Sequence, residues 1–324
     1  MKVTSTLRTI GLLVLLIGVY WFFAGEIQRH WNELSRVHLD IQWQYIVAGA
    51  LLVIAAYLVA TLAWQDAIWL ASNKKLTFVE SIGLVNISQL TKYLPGKVWS
   101  YAIQMHLLAS HTISKTCVLS INITMLLSLI TSAAVIGLGY ITFASALLPR
   151  EVALPIFTAS LVCYALLVFG GSWSISLLVR LINTVFRKNL EAVNVPLRGM
   201  IFVHGLNLVS NLCFGVAGYF IAVGIGIPQG LSLVAPITAA SLLSDTIGFF
   251  AFVVPGGLGV REGVMYAMLK SAVDIQTCFI LPVAFRLVTM MCDLLLGGLA
   301  MVLLHRFAKN ENGSVSSRKE QGHT

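Results

Sequence analysis

Apolar residues in this chain come in long runs with few charges inside them. A run of about 20 such residues suffices to cross the hydrocarbon core of a bilayer. Six runs meet that length: residues 7–24, 43–70, 117–148, 152–178, 200–225 and 278–304. They predict six full membrane spans. The first follows Lys2 and Arg8, as a signal peptide would, but ends in Tyr20-Trp21-Phe22-Phe23. Bulky aromatics suit a membrane interface better than a cleavage site, so this run reads as a retained span. The run 117–148 exceeds what an upright crossing needs and predicts a tilted or protruding helix.

Two further apolar regions are interrupted. Residues 78–110 are broken by Pro95-Gly96-Lys97, and residues 231–270 by Pro255-Gly256-Gly257-Leu258-Gly259. Proline removes a backbone donor and glycine loosens the chain, so a helix stops there. Before the first break, a helix of about 22 Å at 1.5 Å per residue falls short of a core about 30 Å thick. Both regions read as re-entrant helical hairpins. The two halves of the chain then run span, hairpin, span, in opposite orientations. This predicts an all-α membrane protein with an inverted repeat, the hairpin tips meeting near mid-depth, an arrangement that in transporters marks the binding site. Coincidental breaks in ordinary helices remain the alternative.

Composition agrees with this pattern. Of 324 residues, 58% are hydrophobic and 10% charged, and mean hydropathy is +0.87. An ordinary soluble domain is roughly one-quarter charged. A soluble enzyme, a disordered chain and a nucleic-acid module are excluded, despite a net charge of +8. The basic excess belongs in the loops. If the N-terminus is cytoplasmic and each hairpin returns to its own side, thirteen Lys and Arg lie inside, four lie outside (Arg29, Arg36, Arg150, Lys270) and four lie at membrane depth (Lys92, Lys97, Arg261, Arg286). That asymmetry predicts a multi-pass protein of the plasma or inner membrane with both termini cytoplasmic. Residues 1–309 then form a single transmembrane domain, and the polar residues 310–324 a disordered tail. The five cysteines lie singly in apolar runs with no C-x-x-C pair, so neither a disulfide framework nor a metal site is expected.

The two interruptions carry a resemblance. Lys92-Tyr93-Leu94-Pro95-Gly96-Lys97-Val98-Trp99 and Val254-Pro255-Gly256-Gly257-Leu258-Gly259-Val260-Arg261-Glu262-Gly263 resemble the two signature stretches of the lysylphosphatidylglycerol synthase transmembrane-region family, the flippase-like membrane proteins. The resemblance implies a membrane region associated with moving lipid between leaflets. Family members with an added catalytic domain attach lysine to phosphatidylglycerol. This chain ends soon after its last span, so that domain is expected to be absent. Where the family pattern has Gly-Glu, the first motif has Trp99-Ser100, a departure that bears against a symmetric pair of carboxylates in the two motifs.

Charged groups at membrane depth cost at least about 2.5–3.5 kcal/mol each and need partners or a wet cavity. The candidates are Asp66, Lys92, Lys97, Asp245, Arg261, Glu262, Arg286 and Asp293. Asp66 lies near the end of its span and suits the interface. Arg286 and Asp293 are seven residues apart, on one helix face. Either an ion-pair network or a substrate or proton site accounts for them. Ser241, Ser244, Asp245 and Gly248 make a stripe that either lines a cavity or packs as a small-residue seam. His204, Asn207 and Asn211 fit an interhelical hydrogen-bonding face, with no second ligand at metal spacing.

After each Pro-Gly break a helix restarts, with free N–H groups and a partial positive charge. With Lys92 and Lys97 near one restart and Arg261 near the other, the tips form a candidate anion site, Pro95, Gly96, Pro255, Gly256, Gly257 and Gly259 supplying the turns. A lipid phosphate is the anion that enters a bilayer with its own apolar tails. Arg261 is expected to pair with Glu262 when no lipid is bound; the alternative is that Lys97 and Arg261 only neutralise local carboxylates such as Glu262. No catalytic or nucleotide signature is present, and no cofactor is expected. Three functions remain: a transporter of an anionic lipid or polyprenyl-phosphate-linked sugar; a non-transporting accessory protein of a membrane glycosyltransferase or other lipid-modifying enzyme; and a membrane-embedded transferase using Glu262 or Asp245.

Overall fold

The computed structural model describes residues 40–90, 104, 105, 108, 113–145, 147–186, 195–251, 257 and 259–321. These residues are all-helical, with no strand among them. In chain order the helices are α1 (Trp43–Ser72), α2 (Phe78–Leu90), α3 (Lys115–Ala144), α4 (Arg150–Phe169), α5 (Gly171–Phe186), α6 (Leu197–Gly224), α7 (Leu231–Phe250), α8 (Val260–Leu269) and α9 (Ile275–Gln321). Among the described residues six stretches are long and apolar enough to cross a membrane: α1, α3, α4, α6, α7 and the Ile275–Leu303 part of α9. The chain is therefore a multi-pass membrane protein. The expected span 7–24 lies outside the described residues. Beyond Leu303 the backbone of α9 stays helical to Gln321, over the stretch whose composition suggests a disordered tail.

Two helices differ from the sequence reading. The run 152–178 is not one span. Gly171 adopts φ +51°, a left-handed conformation open to glycine at little cost, and it divides the run into α4 and a separate helix, α5. The first arm of the second interrupted region is also longer than a half-crossing. With 20 residues, α7 rises about 30 Å, enough to traverse the core alone. The helix after the break, α8, has 10 residues, about 15 Å.

Within a bilayer, water does not drive helices together, so close backbone approach and interhelical hydrogen bonds must do so. The most extensive helix pair among the described residues is α1 with α6. They run antiparallel. Gln42 N–H, at the start of α1, donates to Gly224 O at the end of α6 at 2.8 Å. Ser210 Oγ donates to Ala56 O at 2.8 Å, and a methyl group at Gly199 would lie 2.5 Å from Leu70 Cδ1. Helix α2 packs on α9, and α7 packs on α3. A methyl on Gly215 would lie 2.6 Å from Thr238 Cγ2 and 3.2 Å from Leu242 Cγ, while Gly218 faces Ser241 and Ile237. This order runs α7 antiparallel to α6.

A polar ladder joins α3 to α6. His204 Nδ1 and Ser128 Oγ are 2.6 Å apart. Asn207 Nδ2 donates to Ser128 Oγ at 3.1 Å, and Asn211 Nδ2 donates to Ser132 Oγ at 2.7 Å. Ser128, Ser132, His204, Asn207 and Asn211 are all buried. The expected polar face of α6 is thus a helix-packing face, continued past Gly215 and Gly218 onto α7.

Candidate functional site

The second interruption positions the site. Gly259 has φ +77° and Gly257 φ +68°, so the chain turns sharply there before α8 begins. Glu262, in the first turn of α8, is buried and uses both carboxylate oxygens. Its Oε2 accepts from Gly259 N–H at 2.7 Å, satisfying one free donor at the helix start. Its Oε1 accepts from Arg286 Nη1 at 2.6 Å. One carboxylate therefore fastens the turn, the start of α8 and the middle of the span in α9. Tyr266 lies against Phe279, with ring centroids 4.9 Å apart, so α9 runs antiparallel to α8.

Arg261 points the other way and forms an ion pair with Asp245 of α7. Its stem occupies a slot between two glycines. A methyl on Gly248 would overlap Arg261 Cγ, and one on Gly257 would lie 3.1 Å from Arg261 Nε and 2.7 Å from Gly248 O. The Nε itself is buried without a hydrogen-bond partner among the described residues. The sequence reading paired Arg261 with Glu262; the structure corrects this. Adjacent residues on a helix diverge by about 100°, so they do not face each other. Each takes a partner on a different neighbouring helix.

The two pairs differ in exposure. Side chains in the Arg286–Glu262 pair are 15% and 10% exposed. Those in the Arg261–Asp245 pair are 25% and 42% exposed. Depth follows from the register of α7 on α6. Leu242 faces Gly215, and Asp245 lies three residues farther along an antiparallel helix. It is thus level with about the turn before Gly215, near the middle of α6. A half-exposed ion pair at that depth does not tolerate acyl chains around it, because burying unpaired polar capacity in hydrocarbon is costly. It calls for water or a polar headgroup.

The other expected site residues fall as follows. Ser241 is buried against Gly218 of α6, whereas Asp245 and Gly248 face Arg261, so the stripe on α7 is a packing seam at one end and part of the charged site at the other. Asp293 is buried, but seven residues beyond Arg286 it lies about 10 Å farther along α9. Lys92, Pro95, Gly96, Lys97, Pro255 and Gly256 lie outside the described residues, as does the predicted meeting of the two Pro-Gly tips. The sequence reading missed the Asp245 partnership and the role of Gly248. Gly248 occupies the same stripe as Asp245, and a glycine one turn from an acid at membrane depth could have signalled a slot for a long side chain. Among the described residues no cluster of three or more His, Cys, Asp or Glu could hold a metal ion.

A bundle of apolar helices with two ion pairs converging on a glycine-rich helix start defines a polytopic membrane protein with a charged centre inside the membrane. The chain belongs to the family described as lysylphosphatidylglycerol synthase TM region, whose model matches residues 8–297. Among curated proteins none matches it.

Proposed function

We propose that this protein binds an anionic membrane lipid, or a polyprenyl-phosphate-linked saccharide, at the start of α8 and moves its headgroup between leaflets, and that it is not an enzyme. Family membership supports a role in lipid handling. The observation that carries the finer reading is the half-exposed Arg261–Asp245 pair at mid-depth. Arginine presents a planar fork that matches phosphate oxygens. A phosphate entering from the exposed side replaces the Asp245 carboxylate on Arg261, while the more buried Arg286–Glu262 pair holds the helix start in place. An accessory protein that only holds an enzyme at the membrane has no need of exposed charge at that depth.

The helix pairing supports an inverted repeat. Exchanging α1 with α6, α2 with α7 and α3 with α9 leaves the α1–α6 pair unchanged and turns the α2–α9 pair into the α7–α3 pair. The antiparallel course of α1 and α6 agrees with halves of opposite orientation. On the charge asymmetry of the loops, the protein sits in the plasma or inner membrane with both termini in the cytoplasm.

Native mass spectrometry tests the binding step. The protein purified with its membrane lipids should retain an anionic species, and Arg261→Gln should lose most of it. Equal retention by both would place the lipid elsewhere.

A further inference from the structure

The helix that the apolar pattern concealed, α5, carries a second exposed feature. Ser176, Arg180, Asn183 and Thr184 recur on one side of it. Ile175 and Val179, about 100° around the helix from that side, are buried in a core cluster with Ala67 and Ile68 of α1, Cys117 and Val118 of α3, and Met200 and Val203 of α6. That cluster gathers the last turns of α1 and the first turns of α3 and α6, so α5 is packed at that end of the bundle. Gly171, where α5 begins, would place a methyl group 3.8 Å from Leu197 Cα, beside the start of α6. Trp173 and Leu177 are 60% and 41% exposed, and Arg180 and Thr184 are exposed beside them.

Charge at this end is one-sided. Among the described residues Lys74, Lys75, Lys115, Arg180 and Arg198 are exposed there, and the acidic residues near them are Asp66 and Glu80, neither of them exposed. Glu80 is engaged locally, its Oε2 accepting from Thr77 N–H at 2.6 Å and from the Thr77 hydroxyl at 2.8 Å. At the opposite end Arg150 and Lys270 stand among Asp40, Glu151 and Asp274.

We propose that α5 is an interfacial helix that lies in the headgroup layer at the basic end of the bundle and holds acidic phospholipid headgroups through Arg180. An amphipathic helix with an arginine on its polar side, an exposed tryptophan and other exposed basic residues at the same end of the bundle suits that layer. A basic residue near an anionic leaflet gains about 1 kcal/mol from its surface potential, an attraction that salt screens. This surface is separate from the Arg261 site and stands whether or not that site moves lipid.

The test uses the full chain in nanodiscs of phosphatidylcholine alone or with one-third phosphatidylglycerol, and reads amide hydrogen exchange across residues 171–186. Adding phosphatidylglycerol should slow exchange in this helix several-fold at low salt, and 0.5 M NaCl should reverse the effect. Arg180→Gln should lose most of the slowing and Arg180→Lys should keep it. Arg180 is exposed, so both variants should fold; matching thermal unfolding in detergent checks this. Exchange that ignores phosphatidylglycerol in the parent protein, or an equal response in Arg180→Gln, would overturn the proposal. So would protection that appears only on adding a soluble protein.

Discussion

Gly248 and Gly257 decide where Arg261 can lie. Both border its stem, and neither leaves room for a methyl group. In Gly248→Ala the new methyl overlaps Arg261 Cγ, which is not the free end of the side chain, so the whole stem must move and the ion pair with Asp245 must loosen. Overpacking of this kind costs about 1–3 kcal/mol. Thermal unfolding in detergent should register that loss, and anionic-lipid retention should fall with it. Gly263, whose methyl would meet nothing within 4 Å among the described residues, serves as the control: Gly263→Ala should leave unfolding nearly unchanged. Part of this was legible in the sequence. The motif marked Arg261, Glu262 and the glycines, and the cost of charge at depth implied that each would have a partner. The choice of partners was not legible, because it depends on which helices flank α8. Sequence adjacency favoured an Arg261–Glu262 pair, and the helical turn between them forbids it.

Polar residues inside a membrane span can join helices or line a path, and the α3–α6 ladder joins helices. Ser128 serves both His204 and Asn207. Ser128→Ala removes their common partner and leaves buried polar atoms with fewer bonds. Interhelical hydrogen bonds in membranes average about 0.6 kcal/mol and reach about 1.7 kcal/mol, so a loss of about 1 kcal/mol in unfolding stability is expected, with anionic-lipid retention preserved. A collapse of lipid binding in a folded Ser128→Ala protein would make this ladder part of the site. Element boundaries were legible wherever apolar runs had clear ends: the expected runs 43–70 and 200–225 became α1 and α6 within a few residues. They were not legible where an apolar run continued through a change of role. Residues 152–178 read as one span because α5 supplies apolar residues to the core cluster, and the division rests on the backbone of Gly171 alone, beside a second glycine that a helix would also tolerate.

At the scale of the whole molecule, composition identified the membrane, and the second interruption indicated a part of the chain that holds charge. Helix packing adds the placement of the Arg261–Asp245 pair, half-exposed near the middle of α6, with the Glu262–Arg286 pair anchoring the helix start beside it. Removing one member of a buried ion pair costs roughly 3–5 kcal/mol, so substitutions that retain size and packing report on function better than truncation. Arg261→Lys keeps the charge and removes the planar fork. Glu262→Gln keeps a hydrogen-bond acceptor for Gly259 N–H but removes the charge facing Arg286. The measurement that bears most directly on the account is leaflet exchange of a labelled anionic lipid in liposomes carrying the purified protein. The parent protein should accelerate exchange over protein-free vesicles, and Arg261→Lys, equally folded, should reduce that acceleration at least tenfold. Exchange by Arg261→Lys at the parental rate, or none by the parent protein, would contradict the account.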